Sequence, residues 1–383
     1  MNRHVLRLAV FGAFLTQVPL VSAHGESSSP FLTEGSAIVI ALGGILITGL
    51  AVAGKRSERI SPRSALYTAL FGISVATLGV ILFEGVTPDP AYTASSMPFP
   101  RSWYVPLSLG VGLSVTLFSF VAGWLRWPTR PRYTFLGMFV GLWIAYPSLI
   151  PGTASDTHPV GYALVVSLPV LIGYIVWTDA RHAIAAAVRD TVARRFALGI
   201  TIVTALFFVS ASNYLSFFPD EDVPPETVVD VLSVVYPLVT WQTLEVYLPD
   251  VPVFAAMSIG VAILVGTVSL LVGLNALLIG FQWRSWGVAE GATVQGTAGP
   301  TAVIGACACG CCGPLVAKVA ILAAGPSVAA PLYWLFVDPS SPFASAFLVG
   351  GIVLFTGSLV YATNAVQAGS STRPTVSGES DPA

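Results

Sequence analysis

Nine stretches of this chain stay apolar for long enough to cross a bilayer, and no other feature constrains its fold as tightly. They lie at about 36–54, 64–84, 104–125, 133–151, 159–178, 196–217, 251–281, 299–324 and 343–366. A hydrocarbon core of ~30 Å calls for roughly 20 apolar residues per helix. Backbone polar groups surrounded by lipid must be satisfied within the segment, so these runs are expected as helices rather than strands. No even succession of short alternating segments suggests a membrane barrel. Charged residues are only 9% of the 383, against roughly 25% in soluble domains. The expected fold class is therefore an all-α polytopic integral membrane helix bundle, whose first partner is the lipid bilayer. A single soluble core is excluded. So is a nucleic-acid partner, because no basic patch could neutralise phosphates.

The N-terminus reads as a secretory signal peptide over 1–23. Arg3 and Arg7 form a basic start, Leu8 to Leu20 an apolar run, and "VSA" closes on Ala23 with small residues where a peptidase needs them. An uncleaved first anchor is the other reading. Cleavage would leave His24 as the mature N-terminus. Taking that terminus as outside, the inner loops and tail collect Lys55, Arg56, Arg59, Arg63, Arg126, Arg130, Arg132, Arg181, Arg189, Arg194, Arg195, Arg284 and Arg373, while the outer loops carry Arg101. Such a bias is the positive-inside pattern. It predicts a multi-pass protein of the cell (plasma) membrane with its mature N-terminus outside and its C-terminus cytoplasmic.

These runs divide the chain into an extracellular segment at 24–35, a six-helix membrane region at 36–217, an acidic extracellular loop at 218–250, a three-helix membrane region at 251–366 and a disordered tail at 367–383. The acidic loop holds seven Asp or Glu and no Lys or Arg. Its apolar middle, Val228 to Leu248, is expected as an interfacial helix with Tyr236, Trp241 and Tyr247 at headgroup depth. Asp220, Glu221, Asp222, Glu226 and Asp230 would either gather cations or simply be solvated. The stretch "RHAIAAAVRDTVARR" at 181–195 reads as part of a basic helix lying on the inner surface.

All four cysteines of the chain, Cys307, Cys309, Cys311 and Cys312, fall within "GACACGCCGP". At ~100° per residue an α-helix would put Cys307 and Cys311 on one face, and Cys309 with Cys312 roughly opposite. Two pairs result, not one four-thiol cage. Pro314 and the neighbouring glycines are expected to open or kink the helix near 310–313, which could reunite the pairs. Lys318 follows Cys311 by seven residues, on nearly the same stripe. Two readings of it stay open: a functional cation that favours thiolate, or a side chain snorkelling to the headgroups. Clustered thiolates select soft cations such as Cu(I) or Zn(II). A structural zinc site draws its ligands from two separated pairs, and a ring between adjacent Cys311 and Cys312 lies outside ordinary disulfide geometry. The metal would then be a transient passenger. The other readings are redox chemistry between Cys309 and Cys312, or cysteines that only pack as small apolar residues.

The stretch "CCGPLVAKVAILAAGPSVAAP", residues 311 to 331, resembles the first helix of the bacterial mercuric-ion uptake permeases. That family has a vicinal Cys-Cys, a proline shortly after it and then an apolar helix rich in small residues. The resemblance implies that Cys311 and Cys312 receive the ion and that Pro314 is the matching proline. The chain departs from the family in being several times longer, in adding Cys307 and Cys309, and in lacking a second cysteine pair on the inner side.

Other candidates are weaker. His24 in "HGES" and His158 beside Asp156 could feed a metal. Ser210, Ser212, Asn213 and Asn275 could line a cavity or hydrogen-bond between helices. Glu84, at an outer helix end, is expected to be hydrated. No phosphate-binding loop, dinucleotide fingerprint, nucleophile elbow or zinc-protease motif is present, so no enzymatic activity is indicated. The reading that emerges is a soft-metal cation transporter, with a membrane thiol–disulfide protein or a non-transporting subunit as alternatives.

Overall fold

The computed structural model describes residues 33–87, 100–150, 156–217, 226–248, 253–285, 313–325, 329–338 and 341–371. The signal peptide, His24, the acids at 220–222 and the four cysteines lie outside the described residues. Six helices come first: α1 (Glu34–Arg56), α2 (Pro62–Val86), α3 (Tyr104–Arg126), α4 (Pro131–Leu149), α5 (Pro159–Val188) and α6 (Thr191–Ala211). Four strands follow, β1 (Leu215–Phe217), β2 (Val228–Val235), β3 (Thr240–Leu248) and β4 (Val253–Ser258). Then come α7 (Ile259–Ser285), α8 (Gly313–Ala324), the single turn α9 (Ala329–Leu332), a π-helical turn (Tyr333–Val337) and α10 (Pro342–Ser371).

Seven of the described helices are long and apolar enough to cross a membrane: α1, α2, α3, α5, α6, α7 and α10. The protein is thus a membrane-embedded helical bundle, with seven such helices among the described residues where nine were expected. The fourth expected span is the 19-residue α4. Arg132 and Tyr133 at one end and Pro147 and Ser148 at the other dilute its apolar run, although Trp143, Ile144 and Tyr146 are core residues. The eighth, 299–324, is described only from Gly313, where α8 runs for 12 residues.

Packing is tightest at the centre. Val349, Ile352, Phe355 and Leu359 of α10 are fully buried against α7 and α5, together with Val268, Leu278 and Ile175. The rim faces the other way. Val39, Ile45, Leu46 and Leu50 of α1, and Leu117, Phe118, Trp124 and Leu125 of α3, are exposed. So continuous an apolar surface marks contact with lipid rather than water. Between helices the small residues permit backbone contact. A Cβ on Gly44 would come within 2.2 Å of the Ala76 nitrogen, and one on Gly79 within 2.3 Å of the Ala41 nitrogen, so α1 and α2 touch along their backbones.

The sheet corrects the sequence reading. Val228 to Leu248 is not an interfacial helix but a hairpin, β2 paired antiparallel with β3, within a sheet of order β1-β4-β3-β2. "VVDVLSVV" and "TWQTLEVYL" are rich in β-branched and aromatic residues. Pro237 stands between them, where a helix interior would lose a hydrogen bond. The turn closes through the Tyr236 N–H donating to the Val239 carbonyl at 3.1 Å. The sheet also shortens two expected spans, since α6 ends at Ala211 and α7 begins only at Ile259. A second correction concerns 181–195, which forms no separate surface helix. The run "HAIAAAV" prolongs α5 to Val188, with Ala180, Ala183 and Ala187 buried. Asp190 then starts α6, its carboxylate accepting from the N–H groups of Val192 and Ala193 at 2.9 Å each.

The two ends of the bundle differ in charge. One end gathers the α1–α2, α3–α4 and α5–α6 connections and the end of α7, with Arg56, Arg63, Arg126, Arg130, Arg132, Arg189 and Arg284. The sheet docks on the other, where the Tyr162 hydroxyl donates to the Thr240 carbonyl at 2.6 Å, and Glu34, Glu84, Asp156, Glu245 and Asp338 lie toward that side.

Candidate functional site

Of the residues singled out in the sequence, Pro314 and Lys318 belong to α8. Pro314 is its second residue, a first-turn position where proline's missing N–H would have had no intrahelical acceptor. The expected opening before it, and the thiols themselves, lie outside the described residues apart from Gly313.

Lys318 is 4% exposed and does not snorkel. Its Nζ stands 3.1 Å from Glu84 Oε1 and donates to the backbone carbonyls of Glu84 and Thr87, both at 3.3 Å. The carbonyls belong to the last turn of α2 and its cap, groups that a helix end leaves without internal partners and that carry the negative end of the macrodipole. Lys318 therefore caps α2 as well as pairing with its carboxylate. Glu84 in turn is not a hydrated helix end. It is 8% exposed and paired with Lys318 of α8 at the end of α2. Removing one partner of such a buried pair leaves an uncompensated charge, at a cost of about 3–5 kcal/mol.

A second buried carboxylate lies nearby along the chain. Asp338 is 3% exposed and accepts a hydrogen bond from the Tyr104 hydroxyl at 2.9 Å. Trp334, on the π-helical turn, packs between the rings of Tyr104 and Phe343, with centroids 6.3 and 5.0 Å away. That same turn packs against α8. The helix that follows the cysteines is therefore bracketed, to α2 through Lys318 and Glu84, and to α3 through the turn beside Asp338 and Tyr104. Sequence reasoning missed Asp338. Its one signal was an acid in "LFVDPSSP", beside the start of an apolar run.

The remaining candidates have structural work. His158 caps α5, its Nδ1 accepting from the Val160 N–H at 3.3 Å. Asn275 donates to the carbonyls of Leu271 at 2.8 Å and Phe355 at 3.1 Å, which ties α7 to α10. Ser210 is buried, while Ser212 and Asn213 end α6. Asp230 stands opposite Glu245 across the β2–β3 ladder. Burial, reinforced by the Glu245 charge, pushes the nearby Tyr214 phenol up to about 12. Among the described residues, no three His, Cys, Asp or Glu side chains gather closely enough to hold a metal ion.

At the opposite end two further pairs were also missed, because counting arginines treats them all as solvated. Arg132 forks onto Asp179, its Nε donating at 2.8 Å, and the Tyr133 hydroxyl donates to the same carboxylate at 2.8 Å. Arg284 pairs with Asp190 at 2.6 Å.

No family model, curated protein or solved structure matches this chain.

Proposed function

We propose that the chain is a plasma-membrane permease that binds and translocates a soft metal cation of the Hg, Cu or Zn kind. Cys311 and Cys312 are its principal ligands, and Cys307 and Cys309 assist. One observation carries the reading. The helix that directly follows the thiols is drawn into the bundle by a buried ion pair, Lys318 with Glu84, instead of lying loose in lipid. Buried charges within a membrane protein are costly and mark functional sites by default.

Charge balance favours this cargo. Two thiolates neutralise a divalent ion, after losing two protons, so the complex carries no net charge into a medium that penalises ions heavily. Lys318 already serves the Glu84 carboxylate. It would therefore hold the helix in place, while the ion itself stabilises the thiolates. Low coordination by a vicinal pair suits an ion that must be released, unlike a closed tetrahedral cage. The arginine-rich end faces the cytoplasm in this reading, as the positive-inside bias requires.

Metal analysis of the purified protein tests it. The expected result is about one Cys-dependent ion per chain, as for a single open site, lost in Cys311→Ser/Cys312→Ser. Absence of metal together with a reversible Cys309–Cys312 disulfide would overturn it in favour of redox chemistry.

A further inference from the structure

A cavity of about 400 Å³ opens at the arginine-rich end, between α3, α4 and α10. Its mouth is set by Trp127, Arg130, Tyr133 and Tyr361, and its floor by Phe118, Leu136 and Val353. From Phe118 to Trp127 the wall follows α3 for nine residues, about 13 Å at the helical rise. The groove thus runs from headgroup depth, where Trp and Tyr concentrate, down into the hydrocarbon. It is apolar below and cationic at the rim.

The charge at the rim is not balanced. Asp179 takes Arg132 and the Tyr133 hydroxyl. Arg130 is left with the Tyr133 oxygen as an acceptor, at 3.3 Å, and among the described residues no carboxylate pairs with it. Together Arg130, Arg132 and Asp179 carry one net positive charge, on the guanidinium that faces the groove. A half-buried arginine above an apolar slot between membrane helices is complementary to an acidic headgroup with an acyl chain beneath it. Zwitterionic lipid would bring a second cation to a rim already crowded with arginine.

We infer that this groove is a binding site for one anionic phospholipid, its phosphate on Arg130 and one acyl chain between α3, α4 and α10. None of the lining residues is a candidate thiol ligand, and α10, the central helix of the bundle, forms one wall. Gly357 lines the groove, and a Cβ added there meets nothing within 4 Å. A larger side chain at that position would fill the slot without straining the helix.

The test is native mass spectrometry of the full chain in detergent, titrated with dioleoyl phosphatidylglycerol or dioleoyl phosphatidylcholine. Wild type should retain one tightly held phosphatidylglycerol, with a preference over phosphatidylcholine of about fivefold or more, as one arginine near a headgroup supplies. Arg130→Gln should abolish the preference while lipid still binds. Gly357→Leu should remove the tight adduct of both lipids, with unchanged helical circular dichroism as its folding control. Equal retention of the two lipids by wild type, or a preference that survives Arg130→Gln, would overturn the inference. So would a tight adduct that survives Gly357→Leu.

Discussion

The two ends of the bundle use the same acid–base pairing in opposite surroundings. At the arginine-rich end, Arg284 and Asp190 meet with side chains 35% and 18% exposed. At the end bearing the sheet, Lys318 and Glu84 are 3% and 6% exposed. The first pair sits where water and counterions screen it, so it adds little and can be lost. The second cannot lose one partner without stranding a charge. The difference shows that charge in this protein has two uses. One end gathers arginines and pairs two of them with carboxylates. The other uses a single lysine to tie the short helix α8 to the end of α2.

Breaking the buried pair should have the largest effect. Lys318→Met is expected to lower stability by about 3–5 kcal/mol, read as a fall in the thermal unfolding midpoint of the detergent-purified protein. Glu84→Gln/Lys318→Met should recover most of the loss, because it removes both charges together. A double variant as unstable as the single would mean that packing, not charge, sets the cost.

Next comes the other buried carboxylate. Tyr104→Phe takes one donor from Asp338 and should cost about 1.5–3 kcal/mol, the range for a hydrogen bond to a charged group. The same unfolding assay reads it. An unchanged midpoint would separate Asp338 from the bracket around α8.

Arg284→Ala should fall below about 1 kcal/mol, and its effect should shrink further in high salt. A loss as large as that of Lys318→Met would erase the contrast between the ends. The smallest expected effect near neutral pH belongs to Tyr214, just before β1. Tyr214 has its phenol raised from 10.0 to about 12, by burial first and then by Glu245. Because the fold favours the neutral form, its contribution is fully present below the ordinary value and is lost as pH rises through about 12. Tyr214→Phe should therefore flatten the alkaline limb of the stability profile and leave the neutral region unchanged.

Much of the helical frame was legible in the sequence because membrane helices announce themselves locally. Every one of the seven spans is a continuous apolar run, and the arginines at their ends need no knowledge of packing. The hairpin was misread for a related reason. Val228 to Leu248 has the length and apolar content of a helix, and no glycine marks its turn. Pro237 and the surrounding Val, Thr, Trp and Tyr were the evidence for strands. Long-range pairs are a different matter. Glu84 and Lys318 are 234 residues apart, as are Tyr104 and Asp338. Each member is visible as a polar group in or beside an apolar run, but nothing local names its partner. Glu84 looked hydrated because it lies near a helix end, whereas the structure buries it and pairs it with Lys318 of α8. Of the candidate site itself, Lys318 and Pro314 are placed, while Cys307, Cys309, Cys311 and Cys312 lie outside the described residues.

The central claim, that the thiols carry a soft cation through the membrane, is tested most directly by uptake of radiolabelled mercuric ion into sealed proteoliposomes. Wild-type protein should load the vesicles well above protein-free controls, and Cys311→Ser/Cys312→Ser should fall to the control rate while remaining folded. Equal uptake by wild type and the double variant would contradict the claim, as would wild-type uptake no faster than in empty vesicles.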